Sequence, residues 1–181
     1  MILLSVGTQL PFDRLIRAVD TWAYENGQVE VIGQTGHSSY TPRGLKSFPF
    51  LDPQKFRSLQ EQATLHIAHA GMGSILTAME LGKPILIMPR DHTQGEHRNG
   101  HQLATAKRFV DTPGVFVAFN EQQVIHHLRH IENLAAPAST SAKAPDAFLS
   151  QLRASIEGVR QADRRADSLQ PGTLSTPRRA S

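Results

Sequence analysis

The sequence contains no cysteine among its 181 residues. A disulfide scaffold, a thiolate metal site and a cysteine nucleophile are therefore excluded. The sequence also lacks any run of the about 20 apolar residues that a membrane-spanning helix requires. Residues 1–6 have no basic segment and only a short apolar run, so they make a poor signal peptide. We therefore expect a cytoplasmic protein whose association with a membrane is peripheral or depends on a partner.

Excess positive charge is absent from most of the chain. The formal net charge is +3, but residues 1–150 contain 13 basic and 13 acidic side chains. The last 31 residues contain six arginines and three acidic side chains, so they carry the whole excess. A basic pI can indicate nucleic-acid binding, but a neutral body does not support that function. We therefore predict that the protein does not bind nucleic acid.

Strand-like and helix-like apolar spacing alternate along residues 1–133. Residues 2–6 and 85–88 are short runs that are apolar except for Ser5, which is typical of strands buried on both faces. Between such runs, apolar residues recur at helical spacing, as they do from Phe12 to Ala23. This alternation predicts five or six strands in a parallel sheet with helices on both faces, which is an α/β, Rossmann-like domain.

The composition changes after residue 133. Residues 134–145 are rich in alanine, proline, serine and threonine, which indicates a linker. Apolar residues then recur along one face of a predicted amphipathic helix at residues 146–162. Residues 163–181 are polar and contain several arginines, and we expect this basic tail to be disordered.

A glycine-rich turn follows the predicted strand at residues 65–69. Gly71, Met72 and Gly73 lead into a helix, and Ser74 lies in its first turn. Glycines let the backbone approach an anion closely, and the free N–H groups at a helix start favour a phosphate. His69 adds an imidazole at the end of the strand. The segment therefore predicts a diphosphate site, with an ordinary tight strand-to-helix turn as the alternative.

Three widely used motifs do not fit this turn. It is not G-x-G-x-x-G, since Leu76 occupies the last glycine position, so a dinucleotide fold is disfavoured. It lacks the G-K-[ST] ending of an ATP-hydrolysing P-loop. Ser74 does not have the G-x-S-x-G spacing, so no serine nucleophile is indicated.

A polar loop follows the apolar run at residues 85–88. Its hydrogen-bonding side chains lie between residues 89 and 102, namely Arg90, Asp91, His92, Glu96, His97, Arg98, Asn99, His101 and Gln102. Such a concentration suits a polyhydroxylated ligand. There are two alternatives, which are a solvated loop and a metal site that uses His97 and His101, four residues apart.

Four segments together resemble the C-terminal domain of glycosyltransferase family 28. They are residues 5–8, 68–76, 80–84 and 99–104, within a likeness that covers about residues 1–133. In that family the sequence is similar to the stand-alone, donor-binding subunits of two-component UDP-sugar transferases. These include bacterial exopolysaccharide enzymes and the eukaryotic N-acetylglucosaminyltransferase subunit of the dolichol pathway. The resemblance implies the C-terminal, Rossmann-like half of a GT-B glycosyltransferase.

The resemblance also implies roles for individual residues. It places catalytic and diphosphate-binding groups at His69 and Ser74. The other implied nucleotide-binding residues are Gly7, Thr8, Gly71, Met72 and Gly73, with Thr77 or Glu80 at the ribose. The implied sugar-binding residues are Glu96, His101 and Gln102. No metal and no cofactor is implied, since the UDP-sugar is the donor substrate.

The implied activity is that of an inverting transferase. A hexosyl group, such as glucuronosyl, galactosyl or N-acetylglucosaminyl, would pass from a UDP-sugar to a lipid-linked acceptor in polysaccharide biosynthesis. A membrane-anchored partner subunit would bind the acceptor and hold this chain at the inner face of the membrane. The alternatives are a non-catalytic, UDP-sugar-binding regulatory subunit and a protein related to nucleotide-sugar epimerases.

Overall fold

The structure, a computed structural model, describes residues 1–98 and 100–135, and it confirms the predicted alternation of strands and helices. Its six strands are β1 (Ile2–Ser5), β2 (Val31–Gln34), β3 (Lys46–Phe48), β4 (Leu65–His69), β5 (Ile85–Met88) and β6 (Val115–Val117). Its five α-helices are α1 (Asp13–Glu25), α2 (Pro53–Gln62), α3 (Met72–Glu80), α4 (His101–Arg108) and α5 (Glu121–Arg129). Short 3-10 turns occupy His92–Gln94 and Ile131–Asn133.

All six strands run parallel in one sheet, in the order β3-β2-β1-β4-β5-β6. In the centre of this sheet, Ile2 of β1 is paired with Val31 of β2 on one side and with Leu65 of β4 on the other. The chain moves outward from β1 to β3 and then returns to the opposite side of β1. Connections therefore leave β1 and β4 in different directions, which opens a crevice at the carboxyl ends of these strands.

Burial of both faces of the sheet explains the continuous apolar strands. Ile2 and Leu4 belong to the main core, which also contains the apolar faces of α1 and α5. Leu3 points to the opposite face, where it packs with Leu59 of α2. Because successive strand residues alternate between faces, a strand that is covered on both sides has no room for a polar face.

Two helices begin at residues whose side chains cap them. At α2, the Asp52 carboxylate accepts the backbone N–H of Gln54 at 2.9 Å. At α5, Asn120 Oδ1 accepts the N–H of Gln123 at 2.9 Å. The Gln123 side chain in turn accepts the N–H of Phe119 at 2.7 Å, one residue before the position of an ideal capping box.

Most of the predicted C-terminal organisation lies outside the described residues. Only residues 134 and 135 of the predicted linker are described, and the predicted helix at 146–162 and tail at 163–181 are not. Within the described part of the chain, no helix combines the length and the apolar character that crossing a bilayer requires.

Candidate functional site

A cleft of about 650 Å³ opens at the carboxyl ends of β1, β4 and β5. It lies where the strand order reverses, which is the usual ligand position in an open parallel sheet. The predicted site residues that line it are Gly7, Thr8, His69, Gly71, Met72, Gly73, Ser74, Thr77, Glu96, His101 and Gln102. The structure thus brings these residues together, and the binding role of each stays a prediction.

The His69 ring lies between two glycines that belong to different loops. A Cβ atom on Gly7 would come within 2.9 Å of Cε1 of the ring, and a Cβ atom on Gly71 would collide with Nε2. Gly7 also has a φ of +79°, a conformation that residues with a side chain rarely adopt. The two glycines therefore make room for the imidazole, and a larger residue at either position would displace it.

His69 is uncharged at neutral pH. Burial lowers the pKa of the imidazole to about 4, and the charge of Arg90 acts in the same direction, whereas the backbone of Ser5 opposes the shift. Although that backbone lies nearby, no described residue makes a hydrogen bond of good geometry to the buried Nδ1 atom. A buried polar atom without a partner lowers the stability of the folded protein.

The N-terminus of α3 borders the cleft without a cap. Gly71 precedes the helix in an extended conformation, and no side-chain hydrogen bond caps it among the described residues. The N–H groups of the first turn are therefore available to an acceptor outside the protein.

Gly73, in the first turn of α3, has no internal reason to be glycine. Its φ is not positive, and a Cβ atom there would meet nothing within 4 Å. Glycine in a helix is less favourable than alanine by up to about 1 kcal/mol. Close approach of a ligand to the backbone would explain this residue, since it needs the space that a methyl group would occupy.

Arg90 follows β5 and is hydrogen-bonded to three backbone carbonyls. Its two terminal nitrogens donate to Pro11 at 2.6 Å, to Glu96 at 3.2 Å and to Val6 at 2.5 Å. Its guanidinium carbon also lies 4.8 Å from the centroid of the Phe12 ring. Burial lowers the pKa of the guanidinium, and the Glu96 charge opposes this shift. Arg90 thus joins the loop after β1 to the loop after β5.

The Glu96 carboxylate, which was predicted to contact the sugar, is held by other groups of the protein. Its Oε1 accepts a hydrogen bond from Nε of Arg14 at 2.7 Å, and its Oε2 accepts one from a terminal nitrogen of Arg14 at 2.9 Å. Oε2 also accepts the backbone N–H of Asp91 at 2.7 Å. These bonds give Glu96 a part in shaping the loop after β5, and its contact with the sugar stays a prediction.

The two remaining predicted sugar ligands begin α4. His101 is exposed at the first position of the helix, and Gln102 is buried beside it. Oε1 of Gln102 accepts the backbone N–H of Arg90 at 3.1 Å. The amide nitrogen is a hydrogen-bond donor and Oε1 keeps a second lone pair, so a sugar contact by Gln102 can use either atom.

Thr77 and Glu80, the two candidates for the ribose contact, differ in position. Thr77 lines the cleft, whereas Glu80 does not line it and is exposed at the end of α3. The two residues are three positions apart, so Glu80 lies almost one helical turn farther from the glycine-rich turn. The structure therefore favours Thr77.

The cleft also contains residues that the sequence did not indicate. Gln34 at the end of β2, together with Phe56 and Gln60 on α2, contributes to its wall. No motif marks these residues, and they reach the cleft through the order of the strands. Only a correct strand order could have revealed them, because β2 and α2 are distant in sequence from the loop after β5.

The metal alternative gains no support from the arrangement of the side chains. Among residues 1–98 and 100–135, no three His, Asp or Glu side chains are placed so that they could hold a metal ion. His97 and His101 both line the cleft without forming such a group. The absence of a metal from the reaction stays a prediction.

Most of this chain matches a known family of protein domains. Residues 1–157 match the glycosyltransferase family 28 C-terminal domain. The UDP-N-acetylglucosamine transferase subunit ALG13 of Mus musculus is 33% identical to this chain over 87 residues. That alignment covers 45% of this chain but 7% of the mouse protein, so the mouse protein is much longer than the matched region.

Two solved structures share the fold. The solution structure of ALG13 has a TM-score of 0.57 at 21% identity and covers 80% of this chain and 91% of its own. The glycotransferase of kitacinnamycin has a TM-score of 0.56 at 18% identity, and the match covers 93% of this chain and 43% of that one. The sheet is therefore that of a Rossmann-like domain of GT-B glycosyltransferases.

Proposed function

The chain belongs to the family of glycosyltransferase family 28 C-terminal domains, and from that premise we propose that it binds a UDP-sugar in the cleft. In this proposal it is the catalytic, donor-binding subunit of an inverting glycosyltransferase. The observation that carries the proposal is the uncapped N-terminus of α3, which borders the cleft between two glycine-containing loops. Backbone N–H groups at such a helix start suit the diphosphate of a nucleotide sugar.

The diphosphate would lie against Gly71, Met72, Gly73 and Ser74. The Ser74 hydroxyl adds a donor in the first turn of the helix, and the small neighbours let the phosphate oxygens approach the backbone. Thr77, one turn farther along α3, would reach the ribose. Gly7 and Thr8, from the loop after β1, would close the cleft on the side opposite α3.

The reaction would depend on stabilising the departing UDP. The oxygen of an acceptor hydroxyl forms a bond to the anomeric carbon while the bond from that carbon to the diphosphate oxygen breaks. Negative charge then grows on the diphosphate, where the N-terminus of α3, the Ser74 hydroxyl and one N–H of neutral His69 stabilise it. The proton of the acceptor hydroxyl passes to a general base that we assign to the partner subunit.

A second chain would complete the enzyme. A GT-B transferase places a donor domain opposite an acceptor domain, and in this proposal the partner chain supplies the acceptor domain. The relative from Mus musculus is itself named a subunit, which supports a heteromeric assembly. We propose a membrane-anchored partner that binds a lipid-linked acceptor, with this chain on the cytoplasmic side. A role in exopolysaccharide synthesis is part of the same proposal.

Calorimetry and a transfer assay test the proposal separately. The chain is titrated with UDP and with UDP-glucuronate, UDP-galactose and UDP-N-acetylglucosamine, and a saturable heat with UDP is the expected result. Transfer of labelled sugar to lipid is then measured in membranes that contain the partner, with and without this chain. Binding with no dependence of transfer on this chain would contradict catalysis and indicate a regulatory subunit. Absence of any UDP binding would refute the donor site itself.

A further inference from the structure

One guanidinium holds both ends of the loop after β1. The Val6 and Pro11 carbonyls, which accept hydrogen bonds from Arg90, lie on either side of residues 7–10. This short loop contains Gly7 and Thr8, which face the cleft. Because both of its ends are tied to the same planar group, the loop has little freedom to move relative to β5.

The same arginine also holds the loop after β5. Its guanidinium donates to the Glu96 carbonyl, and its backbone N–H donates to Gln102. Arg14 on α1 also holds the loop after β5. It forms a bidentate pair with the Glu96 carboxylate and donates a hydrogen bond to the Pro89 carbonyl at 3.1 Å. The loops on two sides of the cleft are therefore joined through Arg90.

The charge of Arg90 is not neutralised by a direct ion pair within the described residues. Arg90 is 3% exposed as a residue, and the described hydrogen bonds of its side chain end on carbonyl oxygens. Glu96, whose charge acts on Arg90, forms its salt bridge with Arg14, which also approaches Glu121 at 3.4 Å. A buried charge without an ion pair is costly, and an anionic ligand in the adjacent cleft would offset that cost.

We propose that Arg90 is a positioning residue for the donor diphosphate. Through the carbonyls of Val6, Pro11 and Glu96 it holds the loops after β1 and β5 at the separation that the diphosphate occupies, and it places a buried positive charge behind the ligand. The inference rests on the proposed donor site. It goes beyond that site, because it assigns donor affinity to a side chain whose described hydrogen bonds are all directed to the protein itself.

Calorimetry with UDP on Arg90→Lys tests the inference. Lysine keeps the charge, but one ammonium group cannot reproduce a planar fork that bonds three separate carbonyls. We expect the Kd for UDP to rise about tenfold or more, since preorganisation of the cleft is lost. The matched control is Arg57→Lys, because Arg57 is exposed on α2 and pairs only with Glu61 among the described residues. Its Kd should stay within about twofold of wild type.

A purely structural role would lower the unfolding temperature without changing the Kd measured well below it. An Arg90→Lys variant that is folded and binds UDP within about twofold of wild type therefore overturns the inference. In the enzyme reconstituted with its partner, the KM for the donor should rise in this variant, while the KM for the acceptor stays unchanged.

A second variant keeps the inference testable if Arg90→Lys does not fold. Glu96→Gln keeps the backbone carbonyl that Arg90 uses but weakens the pair with Arg14, so the loop after β5 is held less firmly. We expect a rise of about threefold in the Kd for UDP, and an unchanged Kd would overturn the inference. If wild type itself does not bind UDP, the donor site has failed. If wild type binds UDP and the variants bind it with the same Kd, only the role of Arg90 is refuted.

Discussion

The cleft has two walls that are built in different ways. The glycine wall, formed by Gly7, Gly71 and Gly73 around His69, consists of backbone from the loops after β1 and β4. The side-chain wall, formed by the loop after β5 and the start of α4, consists of long polar side chains. In the first wall the small size of the residues shapes the site. In the second, several polar side chains are engaged in holding the wall together.

This contrast separates two uses of a polar or small residue at a binding site. Gly73 has open space beside it, so none of its described neighbours requires glycine there, and close approach of a ligand to its backbone stays a prediction. Glu96 and Arg90 have the chemistry expected of ligand-binding residues, yet their described hydrogen bonds are to the protein itself. The residue types in a polar loop therefore do not by themselves indicate which side chains are engaged within the protein.

The largest expected effect concerns His69 in the glycine wall. We expect His69→Ala to lower kcat about 100-fold in the reconstituted enzyme, because one hydrogen-bond donor to the leaving diphosphate is lost. Turnover of labelled UDP-sugar measures it, and His130→Ala on the exposed end of α5 is the matched control. An unchanged kcat and KM in His69→Ala would remove this residue from the mechanism.

The next largest effect is a loss of stability on substitution of Gly71, the residue that precedes α3. We expect Gly71→Ala to lower the free energy of unfolding by about 1–3 kcal/mol, since the added Cβ collides with the His69 ring. Denaturant unfolding measures it. The control is Gly27→Ala, because a Cβ atom there meets nothing within 4 Å. Equal losses in both variants would show that the contact with His69 is not the cause.

Gly73→Ala should change stability and affinity in opposite directions. Alanine is the better helix former, so the free energy of unfolding should stay the same or rise by up to about 1 kcal/mol. The methyl group should nevertheless raise the Kd for UDP about tenfold, because it occupies the approach to the helix N-terminus. An unchanged Kd in calorimetry would show that no ligand comes close to Gly73.

Acid should destabilise the protein through His69. The unfolded state binds a proton near the ordinary pKa of about 6.5, whereas the folded state takes one only near pH 4. Stability due to this group is therefore complete above pH 6.5 and is lost as the pH falls towards 4, by about 1 kcal/mol between pH 6.5 and 5.5. Denaturant unfolding at several pH values measures the loss, and His69→Gln should show less of it. Identical pH profiles for the two proteins would contradict a buried, neutral His69.

The smallest expected effect distinguishes the two ribose candidates. We expect Thr77→Val to raise the Kd for UDP about threefold, because it removes one hydroxyl from a neutral hydrogen bond. Glu80→Gln should leave the Kd unchanged, since Glu80 lies outside the cleft. The reverse result would return the ribose contact to Glu80 and require α3 to begin differently in the bound protein.

Much of the glycine wall could be predicted from the sequence. The strand, the turn and the helix start from Leu65 to Ser74 depend on residues a few positions apart, and the pattern of apolar and glycine residues indicates all three. The predicted site residues of this segment all line the cleft. Glu80 was harder to interpret, because a shift of a fraction of a turn decides whether a helical residue faces the cleft.

The side-chain wall could be predicted only in part. The sequence indicates that the loop is polar, but the partner of each side chain lies far away along the chain. Arg14 and Glu96 are 82 positions apart, and Arg90 and Val6 are 84 apart. No local pattern links such pairs, so the pairing of Glu96 with Arg14 could not be predicted from the sequence.

The sequence by itself determined the alternation of strands and helices, the helix caps at Asp52 and Asn120, and the glycine-rich turn at the end of β4. These features arise from steric and hydrogen-bonding preferences of neighbouring residues. Only the tertiary structure decided the strand order, the place of Gln34 and Phe56 in the cleft, and the commitment of Arg90 to three carbonyls. The reason is physical, because burial and pairing depend on which distant segments meet in space.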